Sequence, residues 1–135
     1  NGYDHINLDE FSEIYADIFE LDERVAQLIK NLSSQYRLSV ISNTNQLHYD
    51  KIVRDYHSVM QCFENPTPSH EAHMLKPEEG IYHHALAKLN CAPGNAVFID
   101  DKIENIHAAN DVGMLGIHFT GSEQLTADLQ KFNIY

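Results

Sequence analysis

The stretch AVFIDDKIENIHAAN, residues 96–110, decides the reading of the chain. Four apolar residues run into two adjacent carboxylates, Asp100 and Asp101. A short apolar, β-branched run closed by polar residues reads as a buried strand, and the residues after it return to helical spacing. The strand therefore delivers two negative charges to one place. Two carboxylates held together in a crevice repel each other unless a cation or hydrogen-bond donors compensate. Mg²⁺ suits such a pair: it is a hard ion that takes oxygen ligands, usually one or two carboxylates with water and phosphate oxygens completing the shell. The plainer alternative makes Asp101 the cap of the helix at 103–110 and Asp100 part of a turn.

Working outward, the pattern alternates. Residues 37–43, RLSVISN, form a strand, and 46–56 form a helix with Leu47, Ile52, Val53 and Tyr56 available for a face. Residues 59–64 suggest a weaker strand, and 65–75 a loop broken by Pro66 and Pro68. Pro77 fits the first helical position, ahead of an apolar face of Tyr82, Ala85, Leu86 and Leu89. Residues 92–95 turn, 103–110 are helical up to Gly113, 114–119 form the last strand, and Ser122 is placed to cap a closing helix through Phe132. Upstream, Asn7 and Glu10 open a helix, and a second begins at Asp22.

Strands alternating with helices predict an α/β fold: a Rossmann-like parallel sheet with helices on both faces, joined by right-handed crossovers. In such sheets reactive groups lie beyond the carboxyl ends of the strands. Three polar features reach that edge: Ser42-Asn43 after the first strand, Lys76 before a helix, and Asp100-Asp101. The Ser42 hydroxyl and neighbouring amides are donors for an anionic oxygen, or else ordinary helix-capping chemistry. Lys76, held extended by the proline that follows it, is a point charge for a phosphate, or else a solvated lysine.

At this point the chain resembles the haloacid dehalogenase superfamily of phosphohydrolases. The motifs that carry the resemblance are SVISNTN (39–45), SHEAHMLKPEEGIY (69–82) and VFIDDKIENIHAANDVGMLGI (97–117), with ISNTNQLH similar to the sugar-phosphate phosphatase branch. The resemblance implies a Mg²⁺-dependent phosphatase acting on a small phosphate monoester, with a sugar phosphate one such substrate. It implies that Ser42, with Asn43 nearby, binds the phosphoryl oxygens, that Lys76 neutralises them, and that Asp100 ligates Mg²⁺. Asp101 would be a second ligand or would orient Lys76, and Asn105 would support the ligands from behind. Where family members often carry glycine, this chain has His73, which raises a question of loop geometry.

The family's nucleophile, the first Asp of an Asp-x-Asp motif on its central strand, forms an aspartyl phosphate. No apolar strand followed by Asp-x-Asp precedes Ser42. Residues 1–19 are expected to be a remnant of a helical cap and 20–135 a core lacking its first strand, with the nucleophile in a longer parent and this chain alone inactive. The strands at 37–43 and 96–100 should then close up, receive a strand from another chain by homodimerisation or strand exchange, or pair with a piece outside this numbering. A non-catalytic phosphate- or Mg²⁺-binding fragment is the second reading.

Composition narrows the partners. The net charge of −11 argues against nucleic acid, which needs a basic face. No apolar run is long enough to span a membrane, and two cysteines are too few for a disulfide framework, so a cytoplasmic setting is expected. The nine histidines include His70 and His73, and the adjacent His83 and His84. Adjacent histidines on a helix diverge by about 100° and rarely share a metal, so they read as surface residues, and His118 as a packed or rim residue.

Overall fold

The computed structural model describes residues 23–135. The expected helix opened by Asn7 and the cap remnant at 1–19 lie outside the described residues.

Helix α1 (Glu23–Ser33) buries Val25, Leu28, Ile29 and Leu32 at helical spacing. Strand β1 (Ile41–Ser42) pairs in parallel with β2 (Thr67–Pro68), Ile41 opposite Thr67 and Ser42 opposite Pro68. Between them lie α2 (Gln46–Asp55) and the short α3 (His57–Met60). A helical turn, α4 (Ser69–Ala72), and then α5 (Glu79–Lys88) follow. Strand β3 (Val97–Asp100), helix α6 (Ile103–Asp111) and strand β4 (Leu115–His118) form a βαβ unit, and α7 (Ser122–Lys131) closes the described chain. The β3–β4 ladder is parallel and sets Asp100 opposite His118.

The α/β alternation and the parallel pairing match the expectation from the sequence. Several boundaries differ, each for a local reason. The strand expected at 37–43 is paired as a ladder only at Ile41–Ser42, extended by one bridge between Leu38 and Phe63. Its partner is not 59–64 but the segment 63–68. Residues 57–60 turn helical because the Tyr56 carbonyl accepts from the amides of Val59 (3.1 Å) and Met60 (3.0 Å). The two prolines sit in the partner segment without breaking it: the amides that reach β1 are those of Glu64 and Thr67, which donate to the carbonyls of Leu38 (2.7 Å) and Val40 (2.8 Å).

Pro77 is not the first helical residue. Residues 75–78 form a separate turn, in which the Glu78 amide donates to the Leu75 carbonyl (2.8 Å) and the Glu78 carboxylate accepts from the Leu75 amide (2.6 Å). Ser122 is the first residue of α7 and not its cap; Gly121 holds the cap position at φ 153°, where a side chain is disfavoured.

The core is continuous. Tyr82 of α5 meets Phe98 of β3 edge to face, ring centroids 5.0 Å apart, and both are fully buried. Gly116 lets β4 approach α6: a Cβ there would lie 2.7 Å from Ile106 Cγ2 and 2.8 Å from Asn110 Oδ1. In the place of a side chain, the Gly116 amide donates to Asn110 Oδ1 at 2.9 Å.

Among the described residues, β1 and β3 belong to separate two-stranded sheets and share no ladder. The expected closing-up of these two strands is therefore not what the structure shows. No described helix is long and apolar enough to cross a membrane.

Candidate functional site

The centre of the site is a buried ion pair. Lys76 Nζ lies 3.1 Å from Asp100 Oδ2, and both side chains are fully removed from solvent. The alternative of a solvated lysine is thereby excluded. A buried charge pair needs further hydrogen bonds to offset its lost hydration. Asp100 has them: Asn105 Nδ2 donates to Oδ2 at 2.9 Å, and the Lys102 amide donates to Oδ1 at 3.0 Å. Asn105 is itself fixed, since its carbonyl accepts the Tyr82 hydroxyl at 3.0 Å. Burial, then the charges of Asp100 and Glu104, push the Tyr82 phenol well above its usual range, which keeps it a donor.

The lysine is held by its backbone as well as its charge. Asn43 Oδ1 accepts from the Lys76 amide at 2.8 Å, while Asn43 Nδ2 donates to the Lys76 carbonyl at 3.1 Å. One side chain at the end of β1 thus clamps a residue 33 positions later. Ser69 repeats the device: its hydroxyl accepts from the Thr44 amide (2.9 Å) and donates to the Thr44 carbonyl (3.0 Å). These two clamps bind the loop after β1 to the segment after β2.

Ser42 immediately precedes Asn43 and is completely buried. Its hydroxyl has no hydrogen-bond partner among the described residues. A buried hydroxyl left without a partner is costly and asks for an acceptor. The ordinary capping role falls instead to Asn45, whose Oδ1 accepts from the His48 amide at 2.9 Å to start α2.

Asp101 does not cap the following helix: the cap position of α6 is Lys102, and it makes no side-chain cap bond. The Asp101 backbone carbonyl accepts from His118 Nε2 at 2.8 Å, across the β3–β4 edge, and Oδ1 of Asp101 is buried. A carbonyl only accepts, so the His118 tautomer carries its proton on Nε2.

The structure therefore brings Ser42, Asn43, Lys76, Asp100, Asp101 and Asn105 to one edge of the molecule. Tyr82, Ser69 and His118 were not singled out for the site from sequence. Tyr82 carried the one legible signal, a polar tip on an otherwise apolar helix face that must find a partner. No group of three or more His, Cys, Asp or Glu side chains is placed to hold a metal among the described residues. Two neighbouring carboxylates fit Mg²⁺ nonetheless, because that ion keeps most of its shell as water and phosphate oxygen.

Known proteins resemble this chain in sequence and fold. A family model described as haloacid dehalogenase-like hydrolase matches residues 3–113. The sesquiterpene phosphatase astK of Aspergillus oryzae is 29% identical over 111 residues, 82% of this chain and 56% of that protein. The bifunctional epoxide hydrolase 2 of Rattus norvegicus is 32% identical over 65% of this chain and 17% of its own length. The chain thus spans about half the length of the first relative and less of the second. A HAD-family enzyme of Bacteroides thetaiotaomicron, solved with magnesium and inorganic phosphate, superposes with a TM-score of 0.63 at 28% identity, over 68% of this chain and 49% of that one. An uncharacterised protein from Corynebacterium glutamicum shares the fold at a TM-score of 0.75, with 18% identity over 99% of this chain and 96% of that one. With the family model covering most of its length, this chain belongs to the haloacid dehalogenase-like hydrolases.

Proposed function

We propose that this chain forms the phosphate-handling edge of a Mg²⁺-dependent phosphatase acting on a small phosphate monoester. The observation that carries the reading is the buried Lys76–Asp100 pair, with the lysine backbone clamped by Asn43, and next to Asn43 in the chain a buried Ser42 hydroxyl without a partner among the described residues. Chemistry of this kind is mostly positioning and charge neutralisation. Ser42 donates to a phosphoryl oxygen. Lys76 places its ammonium against the phosphoryl charge, and Asn43 fixes the lysine backbone so that the ammonium cannot drift. Asp100, oriented by Asn105 and the Lys102 amide, and Asp101 are the residues that would hold the metal. Bound there, Mg²⁺ would neutralise phosphoryl charge that the lysine alone leaves exposed. The relatives support this class: one is a phosphatase, and another was solved with magnesium and phosphate.

A second reading, a non-catalytic phosphate- or Mg²⁺-binding module, is favoured by one observation: the Lys76 ammonium and the Asp100 carboxylate pair with each other, both side chains removed from solvent. Calorimetry with inorganic phosphate and Mg²⁺ tests what both readings share. Saturable Mg²⁺-dependent binding, weakened about tenfold or more by Ser42→Ala, is expected from the loss of one hydrogen bond to a charged group. No binding, or no effect of Ser42→Ala, would remove the site. Turnover of an aryl phosphate by the 135-residue chain then decides for the enzyme, and binding without turnover for the module.

A further inference from the structure

The peptide unit that joins Asp101 to Lys102 is held at both ends. Its carbonyl, on Asp101, accepts from His118 Nε2 at 2.8 Å. Its N–H, on Lys102, donates to Asp100 Oδ1 at 3.0 Å. One peptide plane thus connects a histidine of β4 to the carboxylate at the end of β3. The unit is planar and rigid, so a bond that turns its carbonyl also aims its N–H. The two bonds run head to tail, and hydrogen bonds in such a chain polarise one another.

The fold explains why a side chain takes this part. The β3–β4 ladder ends with Asp100 opposite His118. Just past it, the Phe119 amide donates to the Asp100 carbonyl at 2.8 Å. The next amide, that of Thr120, turns to Gln124 Oε1 at 2.7 Å. The Asp101 carbonyl lies one residue beyond the ladder, and the partly buried imidazole supplies its donor.

Asp100 receives donors on both carboxylate oxygens. Lys76 Nζ and Asn105 Nδ2 bond Oδ2, at 3.1 and 2.9 Å, and the Lys102 amide bonds Oδ1. Donors on the two oxygens together fix the plane of the carboxylate. The bond from His118 goes to the peptide and reaches Oδ1 through it.

We infer that His118 is a positioning residue of the metal site: through the Asp101–Lys102 peptide it sets the orientation in which Asp100 meets Mg²⁺. The inference rests on the reading of Asp100 and Asp101 as the residues that would hold that ion. Mg²⁺ demands near-ideal octahedral geometry, so a carboxylate that rocks loses affinity for it. Residues that orient a metal's ligands are typically worth about 10- to 100-fold in affinity. The plainer role for the bond is to satisfy a carbonyl at a strand end, which contributes to stability alone.

Two measurements on the full 135-residue chain separate these roles. One is hydrogen exchange of the Lys102 amide, followed by NMR without metal. The other is calorimetric titration with Mg²⁺ in the presence of inorganic phosphate. His118→Leu removes the donor, and His118→Gln returns an N–H at similar reach. His118→Leu should quicken Lys102 exchange roughly two- to tenfold, the worth of about one hydrogen bond. It should also weaken Mg²⁺ binding about tenfold or more. His118→Gln should restore both to near the wild-type values. His107→Leu, at an exposed position of α6, should change neither. If His118→Leu does not fold, His118→Asn, polar but too short to reach the carbonyl, should show the same two losses.

Unchanged Lys102 exchange in the folded Leu or Asn variant would overturn the inference. So would quickened exchange with unchanged Mg²⁺ affinity, which would leave the bond a structural role alone. Equal losses in the Leu and Gln variants would overturn it too. Failure of the metal reading looks different: the wild-type chain takes up no Mg²⁺ while Lys102 exchange still responds to His118→Leu, and both readings then fall together.

Discussion

Asn43 and Lys76 stand 33 residues apart in the chain, yet the asparagine amide bonds both backbone groups of the lysine, at 2.8 and 3.1 Å. The amide thus copies the pattern of a neighbouring strand. It fixes where the lysine backbone begins its reach toward Asp100, so the ion pair inherits its position from β1.

Replacing Asn43 by Ala removes both bonds in a partly buried place. At about 0.5–1.5 kcal/mol each, the loss should be about 1–3 kcal/mol, read as a lower urea midpoint at constant m. Asn43→Asp keeps the acceptor and loses the donor, so it should fall between wild type and Ala at neutral pH.

Lys76→Met strands the Asp100 carboxylate inside the protein. Breaking a buried pair from one side costs about 3–5 kcal/mol, against about 5–15 kcal/mol for the stability of a whole domain. Asp100→Asn strands the ammonium in the same way. The double variant, which leaves no unpaired charge, should be less destabilised than the sum of the two single variants. A double-mutant cycle by chemical denaturation measures that difference; strict additivity would mean that the pair is not coupled.

His73 adopts φ 59° and ψ 31°, the left-handed region, at the end of α4. The backbone there takes a conformation that favours glycine, with a side chain on it. A non-glycine residue there costs about 1–2 kcal/mol, partly offset by the greater unfolded-state freedom of glycine, about 0.5–1 kcal/mol. His73→Gly should therefore raise stability by up to about 1 kcal/mol, visible as a higher melting temperature.

Tyr49 ties stability to alkaline pH. Burial first, then Glu71 and Asp50, raise its phenol from 10.0 to about 12. The folded state thus favours the protonated phenol. Its contribution is fully present below pH 10 and is lost as pH rises from 10 toward 12. Tyr49→Phe should lose less stability across that window than wild type, measured by denaturation midpoints at stepped pH. Phenolate absorbance should show one tyrosine fewer titrating late.

How far the sequence could be read follows from the range of each cause. The strand at 97–100 and the helix after it were legible because an apolar run, two acids and a helical period are neighbours in the chain. The boundaries at 57–68 were not, because Val59 and Met60 are as apolar in a helical turn as in a strand, and the Tyr56 carbonyl decided between the two. Pro77 misled for a similar reason: the Glu78 carboxylate closes a turn ahead of the helix.

The sequence by itself determined the α/β alternation and which residue types reach one edge, because side-chain periodicity and turn chemistry act over a few residues. Only the tertiary structure decided that Lys76 is buried against Asp100, that Asn43 clamps the lysine backbone, and that the Ser42 hydroxyl is left without a partner among the described residues. Those facts depend on contacts between residues 24 to 33 positions apart. Local propensity carries no information at that range; packing and the need to satisfy buried polar groups set it.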